Sequence, residues 1–425
     1  MTVSKFPILL LSLVALTSGA RLSASEPTAP EGEKLTLQAA IAEAVAQSPA
    51  LRVIEADIDS ARGEVLTAQT RPNPELTFAP RFHRIGEGGS EFNGAVELNQ
   101  LFLFPGKREL LVSIAERNVE LRRLGIEALR FQLSAAVRKV FYELLAAQSI
   151  LDLRRQQLDS ARTFQQAAAR RAQSGYASDF EAVKSQGEVI NAQKLLSAAE
   201  GQIAVGRVEL STLLGREPSV SLEVSGSLDV VLPERRLPEL LALAYASNPS
   251  IRAQEMQAEV AGLNVRRARL ARKPDFTVGP ALELSKSEQF LGVGVTAALP
   301  RKNYGRGEIL TASAEQRKAL AEMERLRREI AGAVTKSATQ LATARVQLAL
   351  YSQGYLDQLK TVVAQAEQSY AQNVTSLLIY LDAKRTYFDT LAGYYGAIAD
   401  VATSRAELES AVGVPLSSPV TTSNP

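Results

Sequence analysis

Two rhythms of apolar residues alternate along this chain, and each occurs twice. From about Pro105 to Leu214 the apolar positions follow the α-helical period: a long run reaches Gln173, pauses at Ser174-Gly175-Tyr176-Ala177-Ser178, and resumes as a shorter run. No proline falls between Gly106 and Glu217. At about 1.5 Å per residue, Gly106 to Gln173 makes a rod about 100 Å long. Pro300 to Gly413 repeats the plan, with a long run, a break near Asn373 and a shorter run. Leu144, Leu151 and Leu158 recur every seven residues beside Ala147, Ala161 and Ala168. Leu341, Leu348, Tyr355 and Val362 do the same beside Ala344, Leu359 and Ala366. Such heptads predict coiled-coil packing, with small residues allowing close approach.

Ahead of each long run lies a shorter helical stretch with its own punctuation. Leu37 to Gln47 predicts a short amphipathic helix, Ser48-Pro49 starts a second, and Arg71-Pro72-Asn73-Pro74 stops that one near Thr70. Two hundred residues on, Asn248-Pro249 stands where Ser48-Pro49 stood. Pro274 follows Pro74 and Pro280 follows Pro80 at the same offset, as Leu237 follows Leu37 and Ala261 follows Ala61. Prolines at fixed offsets are not composition noise; this is an internal duplication.

After each proline stop the period changes from helix to strand. Leu76, Phe78 and Phe82 alternate with Thr77, Ala79 and Arg81, and Phe92, Gly94, Val96 and Leu98 with Asn93, Ala95, Glu97 and Asn99. Phe276, Val278, Pro280, Leu282 and Leu284 form a third apolar set, and Leu291, Val293, Val295 and Leu299 a fourth. The strands are expected at about 75–83, 90–103, 275–285 and 290–299, with polar turns at 83–90 and 286–289. These lengths cross a bilayer when tilted. A four-stranded sheet could instead cover a helix in a soluble domain, but the flanking helices are too long to fold back as a lid. Four strands cannot close a barrel, and lipid does not tolerate open edges. Three copies would supply twelve strands, so the pattern asks for an oligomer.

Composition narrows the chemistry. Lys and Arg number 48 against 46 Asp and Glu, which gives no broad nucleic-acid surface. Cys and Trp are absent, Met occurs three times, and His83 is the single histidine. There is no Gly-rich phosphate loop and no metal-ligand spacing, so neither an enzyme nor a cofactor is expected. His83, on a strand or its turn, reads as an interface residue rather than a ligand. Lys5, the apolar run Phe6 to Leu16 and Thr17-Ser18-Gly19-Ala20 predict a signal peptide, 1–24, cut near Ala20 or Ala24. A mobile leader (25–36), a first repeat (37–214), a linker with small strands or loops (215–236), a second repeat (237–413) and a disordered tail (414–425) complete the expected organisation.

The duplicated order of helix, Ser-Pro or Asn-Pro, helix, β-hairpin, long helix, tip and return helix resembles the TolC-like outer-membrane efflux proteins over almost the whole mature chain. The phrase Leu101-Phe102-Leu103-Phe104-Pro105-Gly106-Lys107-Arg108 is similar to the branch serving heavy-metal RND pumps (CzcC-like). The resemblance implies a mainly α fold with a transmembrane β part. Duplicated helical hairpins would form a periplasmic α-barrel, and four strands per protomer a trimeric twelve-stranded β-barrel in outer-membrane lipid. It implies a homotrimeric exit duct docked on a periplasmic adaptor and an inner-membrane RND pump, conducting passively. Drug efflux or type I protein secretion through the same kind of duct, and a coiled-coil adaptor or scaffold without a barrel, are the alternatives.

The resemblance also marks a gate and docking tips. Asp382 stands where the family commonly places an acid, and in a trimer it would form a ring of three carboxylates favouring cations. Ile379, one turn earlier, would add an apolar ring. Tyr370 and Glu181 match positions that hold inner and outer helix pairs together, so a closing hydrogen bond is expected between them. Gly175, Tyr176, Ala177 and Ser178 form one docking tip, and Asn373, Val374, Thr375 and Ser376 the other. Asp382 and Glu181 could equally be solvated helix-face acids.

Overall fold

The computed structural model describes residues 34–85, 89–174, 178–217, 222–228, 235–285, 288–298 and 305–416. The expected signal peptide, residues 25–33 of the leader and residues 417–425 of the tail lie outside them. Each half opens with a short helix and a second one: Leu37–Gln47 (α1) and Pro49–Gln69 (α2), then Leu237–Ser247 (α5) and Pro249–Leu270 (α6). The paired caps explain the breaks. Ser48 Oγ accepts from the Leu51 N–H at 3.4 Å, and Asn248 Oδ1 from the Ser250 N–H at 2.9 Å, each ahead of a proline whose missing N–H costs nothing there.

Lys107–Gln173 (α3) is one uninterrupted helix of 67 residues, returning as Asp179–Leu214 (α4). In the second half Arg306–Ala349 (α7) leads to Gln353–Ala371 (α8) and then Leu377–Val412 (α9). The repeats also share their special backbone positions. Gly106 and Gly305 start α3 and α7 at φ 88° and 65°, and Gly215 and Gly413 follow α4 and α9 at φ 72° and 87°. Only glycine takes these values without strain.

The break between α7 and α8 departs from the continuous run expected up to Asn373. Leu350 and Tyr351 bond back to Gln347 and Leu348, tightening the last turn of α7, and Ser352 turns extended at φ −65°, ψ 145°. Its hydroxyl accepts from the Tyr355 N–H at 3.3 Å and starts α8. The Tyr351 ring meets Tyr394 of α9 edge-on at 6.2 Å, in the space that Gly393 leaves open. Tertiary packing and a serine cap together outweigh the heptad that runs through the site.

Glu75–Ile85 (β2), Gly89–Phe102 (β3), Phe276–Leu284 (β5) and Gln289–Ala297 (β6) form an antiparallel sheet in the order β2-β3-β5-β6. The strands take in most of the turn expected at 83–90, because Arg84 pairs with Ser90 and Ile85 with Gly89. The register brings the apolar sets onto one face: Phe78 opposite Val96, Val96 opposite Leu282, Leu282 opposite Leu291. Thr77, Glu97, Ala281 and Gly292 align on the other. The apolar face is open, with Leu76 70%, Leu291 80% and Val293 72% exposed. That excludes a sheet whose apolar side covers its own helices and suits one facing lipid. Among the described residues no helix is long and apolar enough to cross a membrane.

The helices continue the sheet. Beside the strands α2, α3, α6 and α7 pack in that order; farther away α4 takes the place of α2 along α3, and α9 packs between α3 and the α7–α8 pair. Two cores brace the waist where the helices exchange. One gathers Ala40 and Ala44 of α1, Val137, Phe141 and Leu144 of α3, and Leu210 and Leu214 of α4; the other gathers Leu240, Val334, Leu341, Val401 and Leu408.

Two expected mobile segments are in fact packed at their inner ends. Lys34–Leu35 (β1) pairs in parallel with Glu223–Val224 (β4), and Leu35 is buried in the first core. Leu416 is buried in the second, and its N–H donates to Glu409 at 3.2 Å. Buried Glu409 also accepts from Arg405 at 3.0 Å and, across the repeats, from Arg138 of α3 at 3.1 Å. A carboxylate out of water needs such partners, and here they join both halves to the end of α9.

Candidate functional site

At the end of the molecule remote from the sheet, the last turns of α3 and α8 meet the first turns of α4 and α9. The α8 terminus is set by Asn373, the one non-glycine with positive φ (59°) among the described residues. Val374 N–H bonds to Ser369 C=O at 2.9 Å and Asn373 N–H to Tyr370 C=O at 3.0 Å. This is a Schellman close, in which asparagine tolerates the left-handed conformation that glycine otherwise supplies.

From this turn a polar latch reaches the other hairpin. Tyr370 Oη donates to Glu181 Oε2 of α4 at 2.9 Å. The Arg171 guanidinium of α3 donates to Asn373 Oδ1 and stands 4.9 Å from the centroid of the Tyr370 ring. Thus one turn of α8 is held by both helices of the first hairpin. A hydrogen bond to a carboxylate contributes about 1.5–3 kcal/mol when sheltered, and about 1 kcal/mol at this half-exposed position.

Beneath the latch lies an aromatic stack. Tyr370 and Tyr380 are parallel at 5.4 Å, and Phe164 of α3 touches both at 5.6 and 5.1 Å. Tyr380 is buried and donates to Glu367 at 3.4 Å. The Lys384 ammonium sits 4.7 Å from the Tyr380 ring centroid and donates to Ser160 Oγ. Burial, and then Glu367, push the Tyr380 phenol far above its ordinary value. Burial and the hydrogen bond to Glu181 raise Tyr370 as well, so both phenols remain donors at neutral pH. Burial lowers Lys384, with Glu367 opposing.

The structure therefore brings Tyr370 and Glu181 together and places Ile379 and Asp382 elsewhere. Both lie on the exposed side of α9 with Leu378, opposite Tyr380 and Lys384. The helix thus divides its labour between a packed face toward the first hairpin and a free face of Ile379 and Asp382. Of the expected tips, Ser178 and Asn373-Val374-Thr375-Ser376 are described, and Val374 is 77% exposed. Gly175, Tyr176 and Ala177 lie outside the described residues. Arg171, Phe164, Tyr380 and Lys384 were not singled out by sequence. Their partners sit on another helix, and no local spacing announces a contact that depends on hairpin register. Among the described residues no group of three or more His, Cys, Asp or Glu is placed to hold a metal ion.

A sequence profile of outer membrane efflux proteins matches residues 40–216 and again 240–414. The cobalt-zinc-cadmium resistance protein CzcC of Cupriavidus metallidurans is 28% identical over 368 residues, covering 86% of each chain. The nickel-cobalt-cadmium resistance protein NccC of Alcaligenes xylosoxydans xylosoxydans is 24% identical over 304 residues, covering 71% of this chain and 69% of its own. Among solved structures, CusC superposes with a TM-score of 0.75 at 18% identity over 89% of this chain and 92% of its own. The open state of the Neisseria gonorrhoeae MtrE outer membrane channel gives 0.75 at 18%, over 89% of each chain.

Proposed function

Since the chain belongs to the outer membrane efflux protein family, an outer-membrane channel that extends into the periplasm, we propose that it is the exit duct for heavy-metal cations in a tripartite RND-type system. The observation that carries the metal assignment is the likeness along 86% of the chain to a cobalt-zinc-cadmium resistance protein. Three protomers close the four strands of each into a twelve-stranded barrel, with the apolar face of the sheet toward lipid. The helices form the periplasmic conduit below it. A periplasmic adaptor docks on the tips at 175–178 and 373–376, and an inner-membrane pump supplies the energy.

The chain performs no chemistry on its cargo; it holds a pore closed and lets it open. Tyr370, Glu181 and Arg171 join the two hairpins of one protomer at the end where the gate stands. Asp382 and Ile379 face the lumen from the free side of α9, the acid favouring cations over anions and the apolar side chain narrowing the pore. Opening separates Tyr370 from Glu181 and carries Asp382 away from the axis.

Deletion of the gene tests the assignment. Growth should become sensitive to divalent cobalt, zinc or cadmium and recover with the wild-type gene. Unchanged metal tolerance with new sensitivity to detergents or antibiotics would transfer the duct to drug efflux.

A further inference from the structure

A second feature lies at the opposite end of the helices, where they meet the sheet. Phe102 ends β3 and Phe276 begins β5; the two are paired across the seam between repeats and remain 49% and 41% exposed. Aromatic side chains at barrel-strand ends mark the level of the membrane interface. Three residues beyond them, at Pro105 and Lys273, the walls of a groove begin between the start of α3 and the end of α6. At about 3.3 Å per residue this is at most about 10 Å past the aromatic pair, the depth of lipid headgroups.

The groove encloses about 620 Å³. Its floor is apolar, from Leu110, Leu263 and Leu270, and its rim carries Arg266, Arg269 and Lys273, all exposed, against a single acid, Glu109, among the described residues. Lys107 is committed: its ammonium donates to Asp275 at 2.9 Å and to the Lys273 carbonyl at 2.7 Å, whereas the exposed Lys273 ammonium has a looser contact, 5.9 Å from the Phe104 ring centroid. The groove also abuts the N-terminus of α3, whose cap, Gly106, supplies no side-chain acceptor. The partial positive charge there adds to the three cations.

Which side of the wall the groove opens on follows from α6. Arg252, Glu259 and Arg266 recur every seventh residue on one face of the helix, all exposed, and Lys273 follows just past its end. Alongside the groove the opposite face carries small residues, Ala261, Asn264 and Ala268, with Gln257 a turn earlier. A layer of helices closing into a cylinder has less room on its concave side, so the small residues line the inside and the charged face, with the groove, looks outward. An outward, cationic, apolar-floored groove at headgroup level complements one occupant. We propose that the α3–α6 groove binds an anionic glycerophospholipid of the periplasmic leaflet, its phosphate held by Arg266, Arg269 and Lys273 and its upper acyl chain on Leu110, Leu263 and Leu270.

This rests on the outer-membrane placement, which cell fractionation checks first on the same preparation; absence from that fraction would remove the placement and the lipid together. The test itself is native mass spectrometry of the detergent-extracted oligomer titrated with dioleoyl phosphatidylglycerol, and in parallel with the phosphatidylcholine of the same chains. Wild type should retain phosphatidylglycerol preferentially. The Arg266→Gln, Arg269→Gln, Lys273→Gln triple variant should lose it roughly a hundredfold, from about fivefold per cation at a membrane surface. Arg325→Gln, an exposed charge elsewhere on α7, should change nothing. If the triple variant fails to assemble, Arg269→Gln alone should show about the fivefold step. Equal retention of both lipids, or undiminished retention by an assembled variant, would overturn the proposal. So would inorganic phosphate that binds alone and displaces the lipid at millimolar concentration, since the groove would then be a phosphate site.

Discussion

The two repeats share nearly every element, yet their long arms are built differently. In the first, α3 runs 67 residues without interruption and buries residues along its length, from Ile114 to Ala168. In the second, the matching length is split at Leu350-Tyr351-Ser352, and α8 beyond the split has no buried residue. The reason lies in their neighbours. α3 has α4 on one side and α9 on the other, whereas α8 packs chiefly on α9. Duplication supplied two rods of matching length; packing kept one continuous and left the other jointed, on the arm that carries Tyr370.

A proline separates the two arms most sharply. Leu151→Pro in α3 removes a helix hydrogen bond, clashes with the preceding turn and empties a buried site, so it should cost about 5 kcal/mol or more. No folded protein should reach the membrane. Gln353→Pro, at the first position of α8 after the extended Ser352, should be nearly neutral, within about 0.5 kcal/mol by thermal unfolding. Similar losses at both sites would erase the distinction.

The joint itself can be jammed. A Cβ on Gly393 would lie 2.6 Å from the Tyr351 hydroxyl, so Gly393→Ala should destabilise by about 1–3 kcal/mol. Adding Tyr351→Phe removes the clashing oxygen and should restore most of that loss. A double-mutant cycle of melting temperatures reads the coupling directly.

Smaller effects are expected at the latch. Tyr370→Phe keeps the ring stack but loses the bond to Glu181, which should raise the open-to-closed ratio about fivefold in planar-bilayer recordings, for about 1 kcal/mol. Asp382→Asn should leave that ratio alone and lower the preference for cations over anions. If both variants changed only selectivity, the latch and the free face of α9 would not be separate devices.

The smallest effect concerns Glu143 on the unbroken arm. Burial raises its carboxyl above the ordinary range, Glu209 of α4 and Glu407 and Asp400 of α9 raise it further, and Lys139 opposes them. The neutral form is thus favoured on folding. Its contribution is full below the unfolded value of about 4.3 and is lost as pH rises through the raised one. Glu143→Gln should therefore raise the melting temperature at pH 7, and the gain should shrink toward pH 4.

Much of this was legible in sequence because the signals were local and repeated. Prolines at fixed offsets exposed the duplication, and alternation from Phe276 to Leu284 marked a strand whose open apolar face the register then displayed. The split at Ser352 was not legible. Leu341, Leu348, Tyr355 and Val362 carry the heptad across it, and the cause, Tyr351 against Gly393 and Tyr394, lies 42 residues or more along the chain. Leu35 and Leu416 were hidden for a similar reason. An apolar residue in a short stretch with no helical or strand period reads as solvated until a core is there to receive it. At the tip, family likeness singled out Tyr370 and Glu181 but not Arg171, whose contact with Asn373 depends on how two hairpins align.

The bare arm α8 has a consequence for biogenesis. A newly exported chain crosses the periplasm with this helix held against the rest only by half-buried side chains such as Ala366 and Tyr370. Helices so placed open first, and opened segments are where proteases cut and chaperones hold on. Quality control of the newly secreted protein can therefore act on one helix, and protection of α8 from digestion would time the completion of folding at that end.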